Sequence, residues 1–175
     1  HKIKMHFAGA RMILRILTDD SKSRCRFGVK FGASLKIVPK LLETAKELGI
    51  NVVGVSFHVG SGCGDASAYR DAVVLAREAF DIGQKLGFNF SILDIGGGFP
   101  GRGIGTLQFP DIARTIRSAL DELFPQNIRI IAEPGRYMAS NCFTLAVNII
   151  ARRVVSSPDG EGRVFRRLYF AQTES

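Results

Sequence analysis

The sequence predicts an α/β fold, parallel strands joined by crossover helices, as in part of a TIM-type (β/α)8 barrel. Two observations carry this. Apolar segments run strand, helix, strand, helix, strand, helix, strand along the 175 residues, the order of a parallel sheet with helical crossovers. The unusual polar and glycine clusters each fall just past the C-terminal end of a strand: His58-Val59-Gly60-Ser61, Gly96-Gly97-Gly98 and Glu133-Pro134-Gly135-Arg136. In a barrel those ends converge on one mouth, where active sites are built. An open doubly wound sheet fits the same element order, and Gly96, Gly98 and Gly101 match G-x-G-x-x-G formally. That motif opens a helix directly, whereas Pro100 and the loop through Gly105 intervene here.

Residues 12–18 (Met-Ile-Leu-Arg-Ile-Leu-Thr) read as the first strand, with Arg15 among apolar neighbours. A guanidinium there is costly unless it reaches solvent, a partner or a polar site. Asp19-Asp20-Ser21 opens a polar loop broken by Gly28 and Gly32. Leu35, Val38, Leu41, Leu42, Ala45 and Leu48 then recur at helical spacing. Pro39 suits a first turn, so the firm helix starts at about Val38, and Gly49 closes it. Residues 51–57 form the second strand. Asp65 is the expected N-cap of a helix over 66–86 that buries Tyr69, Val73, Ala76, Phe80 and Gly83, with Gly87 ending it. Residues 88–93 are an apolar strand running into the glycine triplet. Pro110 opens a helix with Ile112, Ile116, Ala119, Leu120 and Leu123 inward, stopped by Phe124-Pro125. Residues 128–132 are the next strand, and 142–155 read as a long strand, with a helix over the first half as the alternative.

Bulk properties exclude several function classes. The composition, 46% hydrophobic and 23% charged, is that of a globular chain with a sizeable core. No apolar run reaches the roughly 18 residues of a membrane span. His1-Lys2-Ile3-Lys4-Met5 is no secretory signal and lacks an initiator methionine, so a piece of a longer chain is expected. Cys25, Cys63 and Cys142, odd in number and far apart, indicate reduced thiols in a cytoplasmic setting, not a disulfide framework or a metal site. The formal charge of +8 is spread out, its densest group being Arg152, Arg153, Arg163, Arg166 and Arg167. No aromatics interleave with glycines and basic residues in the manner of an RNA-binding sheet, so the charge reads as solvated surface and not as a nucleic-acid face.

A glycine-rich turn after a strand lets bare amides approach an anion, most often a phosphate. One strand end supplies glycines and the next an arginine, equipment for a phosphate dianion. With His58, Ser61 and Glu133 nearby in the pattern, a cofactor is indicated over a lone phosphate, and pyridoxal 5'-phosphate (PLP) fits well. A carboxylate would keep its pyridine nitrogen protonated, and an imidazole would stack on its ring.

The motifs Phe57-His58-Val59-Gly60-Ser61-Gly62-Cys63, Leu93-Asp94-Ile95-Gly96-Gly97-Gly98-Phe99-Pro100-Gly101 and Ile131-Ala132-Glu133-Pro134-Gly135-Arg136-Tyr137 resemble those of the eukaryotic-type ornithine decarboxylases. The likeness extends through Leu14-Arg15-Ile16, Thr18-Asp19-Asp20-Ser21, Val29-Lys30-Phe31-Gly32 and Phe143-Thr144-Leu145-Ala146-Val147-Asn148-Ile149-Ile150, about 13–155 in all. It implies a partial PLP-binding barrel, alanine racemase-like, over 1–155, with 156–175 a divergent tail or the start of a C-terminal β-domain. The resemblance implies that His58 stacks on the cofactor ring, that Ser61, Gly98, Gly135 and Arg136 hold the phosphate, and that Glu133 pairs with the pyridine nitrogen. Gly97 and Pro134 would also line the cofactor, Arg15 would border it, and Lys30 would join an inter-subunit ion pair of a homodimer. In this family ornithine loses its α-carboxyl as CO2 to give putrescine, the entry to polyamines, and antizyme is a partner.

The resemblance also places the Schiff-base lysine before this segment and the proton-donating cysteine and substrate-binding aspartates after it, so no catalytic nucleophile is identifiable here. A full barrel takes about 250 residues, and the fragment alone is expected to be inactive. Two other readings are a non-catalytic regulator resembling antizyme inhibitor and a related arginine, lysine or diaminopimelate decarboxylase. The retained His58-Val59-Gly60-Ser61-Gly62 and Arg136 favour an enzyme, and Phe99-Pro100 and Tyr137 lean toward the ornithine type.

Overall fold

The computed structural model describes residues 2–101, 103, 107–144, 146–156 and 164–172. In chain order the elements are α1 (Lys2–His6), β1 (Arg11–Arg15), β2 (Ser23–Cys25), α2 (Val38–Glu47), β3 (Asn51–Ser56), β4 (Ser61–Cys63), α3 (Ser67–Lys85), β5 (Ile92–Asp94), α4 (Phe109–Leu123), β6 (Arg129–Ile131), α5 (Gly135–Ala139), β7 (Asn148–Ser156) and β8 (Val164–Gln172). Strands β1, β3, β5 and β6 make one parallel sheet in that spatial order. Each later strand is added beside the previous one, without the reversal of order that creates a doubly wound switch point. This is the progression of a barrel wall.

Burial on both faces is what a parallel strand needs, and Val52, Val53 and Val55 of β3 supply it. Helix α2 buries Val38, Leu42 and Ala45, and α4 buries Ile112, Ile116 and Ala119. Between them α3 presents Ala72, Ala76 and Ala79 with Tyr69, Val73 and Phe80, small residues that let neighbours approach closely. Phe80 meets Phe90 and Phe124 edge-on, with centroids 5.3 and 5.0 Å apart. The Arg77 guanidinium covers this cluster, 5.1 Å from the Phe124 centroid.

Several elements differ from the sequence expectation for identifiable reasons. The first strand ends at Arg15, and Ile16 bridges to Ala33 instead, because the chain turns toward the polar loop. Expected as a loop, residues 23–25 form β2, antiparallel to β4, with Ser23 opposite Cys63 and Cys25 opposite Ser61. Short polar strands of this kind carry no periodic signal. Asp65 is not the N-cap; Ala66 is, while the Asp65 carboxylate accepts the Ser67 amide at 2.9 Å. Phe88 and Phe90 are not in the strand, which starts at Ile92. The Phe88 amide bonds back to the Gly83 carbonyl, so these residues close α3 and fill the core.

The chain divides into two units, His1–Asn141 and Cys142–Ser175. In the second, β7 pairs with β8 as an antiparallel hairpin from Asn148 opposite Gln172 to Ser156 opposite Val164. The strand expected from 142 therefore begins only at Asn148, where its pairing with the end of β8 starts.

Candidate functional site

Strands β3 and β5 end side by side, and the glycine triplet is what lets them. Gly96 has φ +59°, and a Cβ there would stand 2.1 Å from the Phe57 carbonyl oxygen. Its amide donates to Asp94 Oδ1 at 2.8 Å. Gly98 has φ +102°, with its would-be Cβ 2.4 Å from the Gly60 oxygen. Neither position admits another residue. A Cβ on Gly97 would meet His58 Nε2 at 3.0 Å and the Glu133 oxygen at 2.7 Å. The Glu133 amide donates to the Gly96 carbonyl at 2.6 Å, tying the β6 end to the same turn. Among the described residues, the amides of Gly97 and Gly98 donate to nothing. Gly97 is buried, and buried amides are ordinarily paired.

His58 follows β3. The Gly60 amide donates to its Nδ1 at 3.0 Å, so that lone pair is engaged and the neutral ring carries its proton on Nε2. Thr18 Oγ1 donates to the His58 carbonyl at 3.0 Å, and the Phe27 ring packs edge-on at 4.9 Å. Burial holds the imidazole pKa below its ordinary value, and the Arg15 guanidinium adds to this against the opposing pull of Asp94 and Asp20. Arg15 ends β1 opposite Ser56 and lies over Phe31, 5.1 Å from its centroid.

Arg136, in α5, donates through Nη2 and Nε to Ser61 Oγ at 3.0 and 3.2 Å, so a cation and a hydroxyl meet from opposite ends of the pattern. Tyr137 anchors the turn against Phe109, with centroids 4.5 Å apart. Pro134 is the N-cap of α5. The Gly135 amide donates to the Glu133 carbonyl at 2.8 Å, so it is already engaged, and a Cβ there would meet nothing within 4 Å. Glu133 and Arg136 are exposed.

His58, Ser61, Gly97, Gly98, Glu133 and Arg136 thus come together. Arg15 joins them through the field it exerts on His58. Thr18, Asp20, Phe27, Asp94 and the Tyr69 hydroxyl also belong to this region, and local spacing assigns none of them a role. Asp20 accepts from the Phe27 and Gly28 amides and folds the polar loop over the imidazole. Its only sequence signal was its place in the run Thr18-Asp19-Asp20-Ser21. Two unengaged amides, a hydroxyl, a guanidinium and a glycine cradle that any Cβ would fill suit a phosphate dianion. The neighbouring imidazole and carboxylate suit a flat, basic heteroaromatic ring, so these residues fit the phosphate and ring of PLP.

Comparison with known proteins points the same way. The family model described as "Pyridoxal-dependent decarboxylase, pyridoxal binding domain" matches residues 1–140. Ornithine decarboxylase of Schizosaccharomyces pombe is 55% identical over 153 residues, 87% of this chain and 34% of that protein. Antizyme inhibitor 2 of Xenopus laevis is 51% identical over 156 residues, 88% of this chain and 34% of that protein. Among solved structures, the Paramecium bursaria Chlorella virus arginine decarboxylase bound to agmatine superposes with a TM-score of 0.78 at 39% identity, covering 88% of this chain and 42% of the other. The chain spans about a third of the length of these curated relatives. Its α/β sheet is part of the barrel of PLP-dependent decarboxylases.

Proposed function

The chain belongs to the pyridoxal-dependent decarboxylases, and we propose that its glycine turn, Ser61 and Arg136 hold the phosphate of PLP. The observation that carries this is the pair of unengaged amides at Gly97 and Gly98, beside the Arg136–Ser61 contact. Arg136 would neutralise the dianion while Gly98 and Ser61 donate to it. Glu133 would hold a proton on the pyridine nitrogen, and His58, with Nδ1 engaged by Gly60, would lay its ring on the cofactor. Arg15 would border the pocket and keep His58 neutral. The bound cofactor supplies an electron sink for loss of an α-carboxyl group as CO2.

With a complete barrel, as in the longer relatives, the reaction would be decarboxylation of ornithine to putrescine, a polyamine-forming lyase step in the cytoplasm. A homodimer using Lys30, recognition by antizyme, and a β-domain beginning in the second unit belong to the same reading. Exposure of Lys30 between Val29 and Phe31, both exposed, supports such a contact. The likeness to an antizyme inhibitor supports a second reading, a regulator that keeps the fold without the cofactor.

Titration with PLP decides between them. Binding that Arg136→Ala weakens about tenfold or more supports the enzyme reading. An unchanged affinity in the variant removes the phosphate assignment, and no binding at all favours the regulator. The 175-residue chain by itself is expected to release no putrescine from ornithine; release would overturn the division of labour described here.

A further inference from the structure

Tyr69 lies in the first turn of α3, fully buried, its ring stacked on Phe99 with centroids 5.4 Å apart and planes 15° from parallel. That stacking needs an aromatic ring and no hydroxyl. Yet the hydroxyl is present, and among the described residues it is the buried side-chain polar atom without a hydrogen-bond partner. The neighbouring Cys63 thiol is turned elsewhere, its Sγ donating to the Asp65 carbonyl at 3.3 Å. The hydroxyl lies against the glycine turn, 3.1 Å from where a Cβ on Gly98 would stand, next to the Gly60 oxygen at 2.4 Å from the same point. Burial pushes the phenol pKa up, so the group is a protonated donor at any physiological pH. A buried hydroxyl with no partner is costly where phenylalanine would pack equally well, so a partner that arrives with a ligand gives it a use.

We propose that the Tyr69 hydroxyl is a further phosphate-binding group, donating from beneath the Gly98 turn to the anion held there. This rests on the reading of the turn as a phosphate site. It adds a donor from the core side to those supplied by Ser61 and Arg136 at the open side.

The test compares two ligands that differ only in the phosphate and lack the lysine-reactive aldehyde: pyridoxamine 5'-phosphate and pyridoxamine, titrated calorimetrically into wild type and Tyr69→Phe. The expected result is a loss of about tenfold in affinity for the phosphorylated ligand, the size of a hydrogen bond to a charged group, with pyridoxamine unchanged. Equal weakening of both ligands would mean that Tyr69 only shapes the fold and would overturn the proposal. So would unchanged binding of both in a wild type that does bind the phosphorylated ligand. If wild type shows no preference for the phosphorylated ligand, the phosphate reading falls and the Tyr69 proposal falls with it. Melting curves of both proteins, recorded without ligand, separate a folding defect from a lost contact.

Discussion

The triplet Gly96–Gly98 and the turn Glu133–Arg136 stand at neighbouring strand ends, yet they are built differently. The first leads from β5, whose Ile92 and Leu93 are buried, and its backbone is jammed against Phe57, Gly60 and Glu133. The second follows β6, where Ile130 is 40% exposed, and presents Glu133 and Arg136 to solvent. One wall offers backbone amides fixed by the core. The other offers charged side chains fixed by a few contacts, chiefly Arg136 on Ser61 and Tyr137 on Phe109. Changes in the first wall should therefore cost the fold, and changes in the second should cost the ligand.

The sharpest attack on that contrast is Gly96→Ala. It forces a left-handed backbone onto an L-residue and drives a methyl into the Phe57 carbonyl, so a loss of at least about 3 kcal/mol is expected in denaturant unfolding. A variant as stable as wild type would show that the triplet is not locked. At the second wall, Arg136→Ala should leave unfolding within about 0.5 kcal/mol of wild type while reducing affinity for PLP. A matching drop in stability would erase the distinction between the walls.

Between the walls lies His58, whose pKa is held below the ordinary histidine value by burial and Arg15. Below about pH 6.5 the unfolded chain binds this proton before the folded chain does. The contribution of His58 is therefore complete above that pH and is lost as pH falls toward the lowered folded value. Melting temperatures between about pH 8 and about pH 5 should fall with acidification in wild type and fall less in His58→Gln. Identical profiles would remove His58 as the titrating group. The smallest effect is expected far from either wall. Arg70 of α3 and Glu122 of α4 form an exposed ion pair at 2.7 Å, and Glu122→Gln should shift stability by no more than about 0.5 kcal/mol. A larger shift, read from the denaturation midpoint, would mean that the α3–α4 packing beneath Tyr69 depends on surface charge.

Much of this was legible in the residues. Val38, Leu42 and Ala45, then Tyr69, Val73, Ala76 and Phe80, then Ile112, Ile116 and Ala119 are apolar at helical spacing, and all of them are buried where that spacing points. The position of the polar clusters after strands was legible too, since a strand break and a glycine or proline are local signals. Strand lengths were not. Phe88 and Phe90 look like strand residues, and only the return of the chain onto Gly83 and Phe80 makes them a helix closure and core filling. The pairing of β2 with β4 was equally hidden, because it joins polar segments that carry no period.

By itself the sequence determined the alternation of elements, the core faces of the helices and the residue types gathered at three strand ends, since all are fixed by local spacing and composition. Tertiary structure decided which of those residues meet. Whether Ser61 touches Arg136, which ring nitrogen of His58 is free, and where the Tyr69 hydroxyl lies depend on contacts between segments far apart in the chain. Side-chain spacing along one segment contains no information about those distances, which arise only when parallel strands are laid in register.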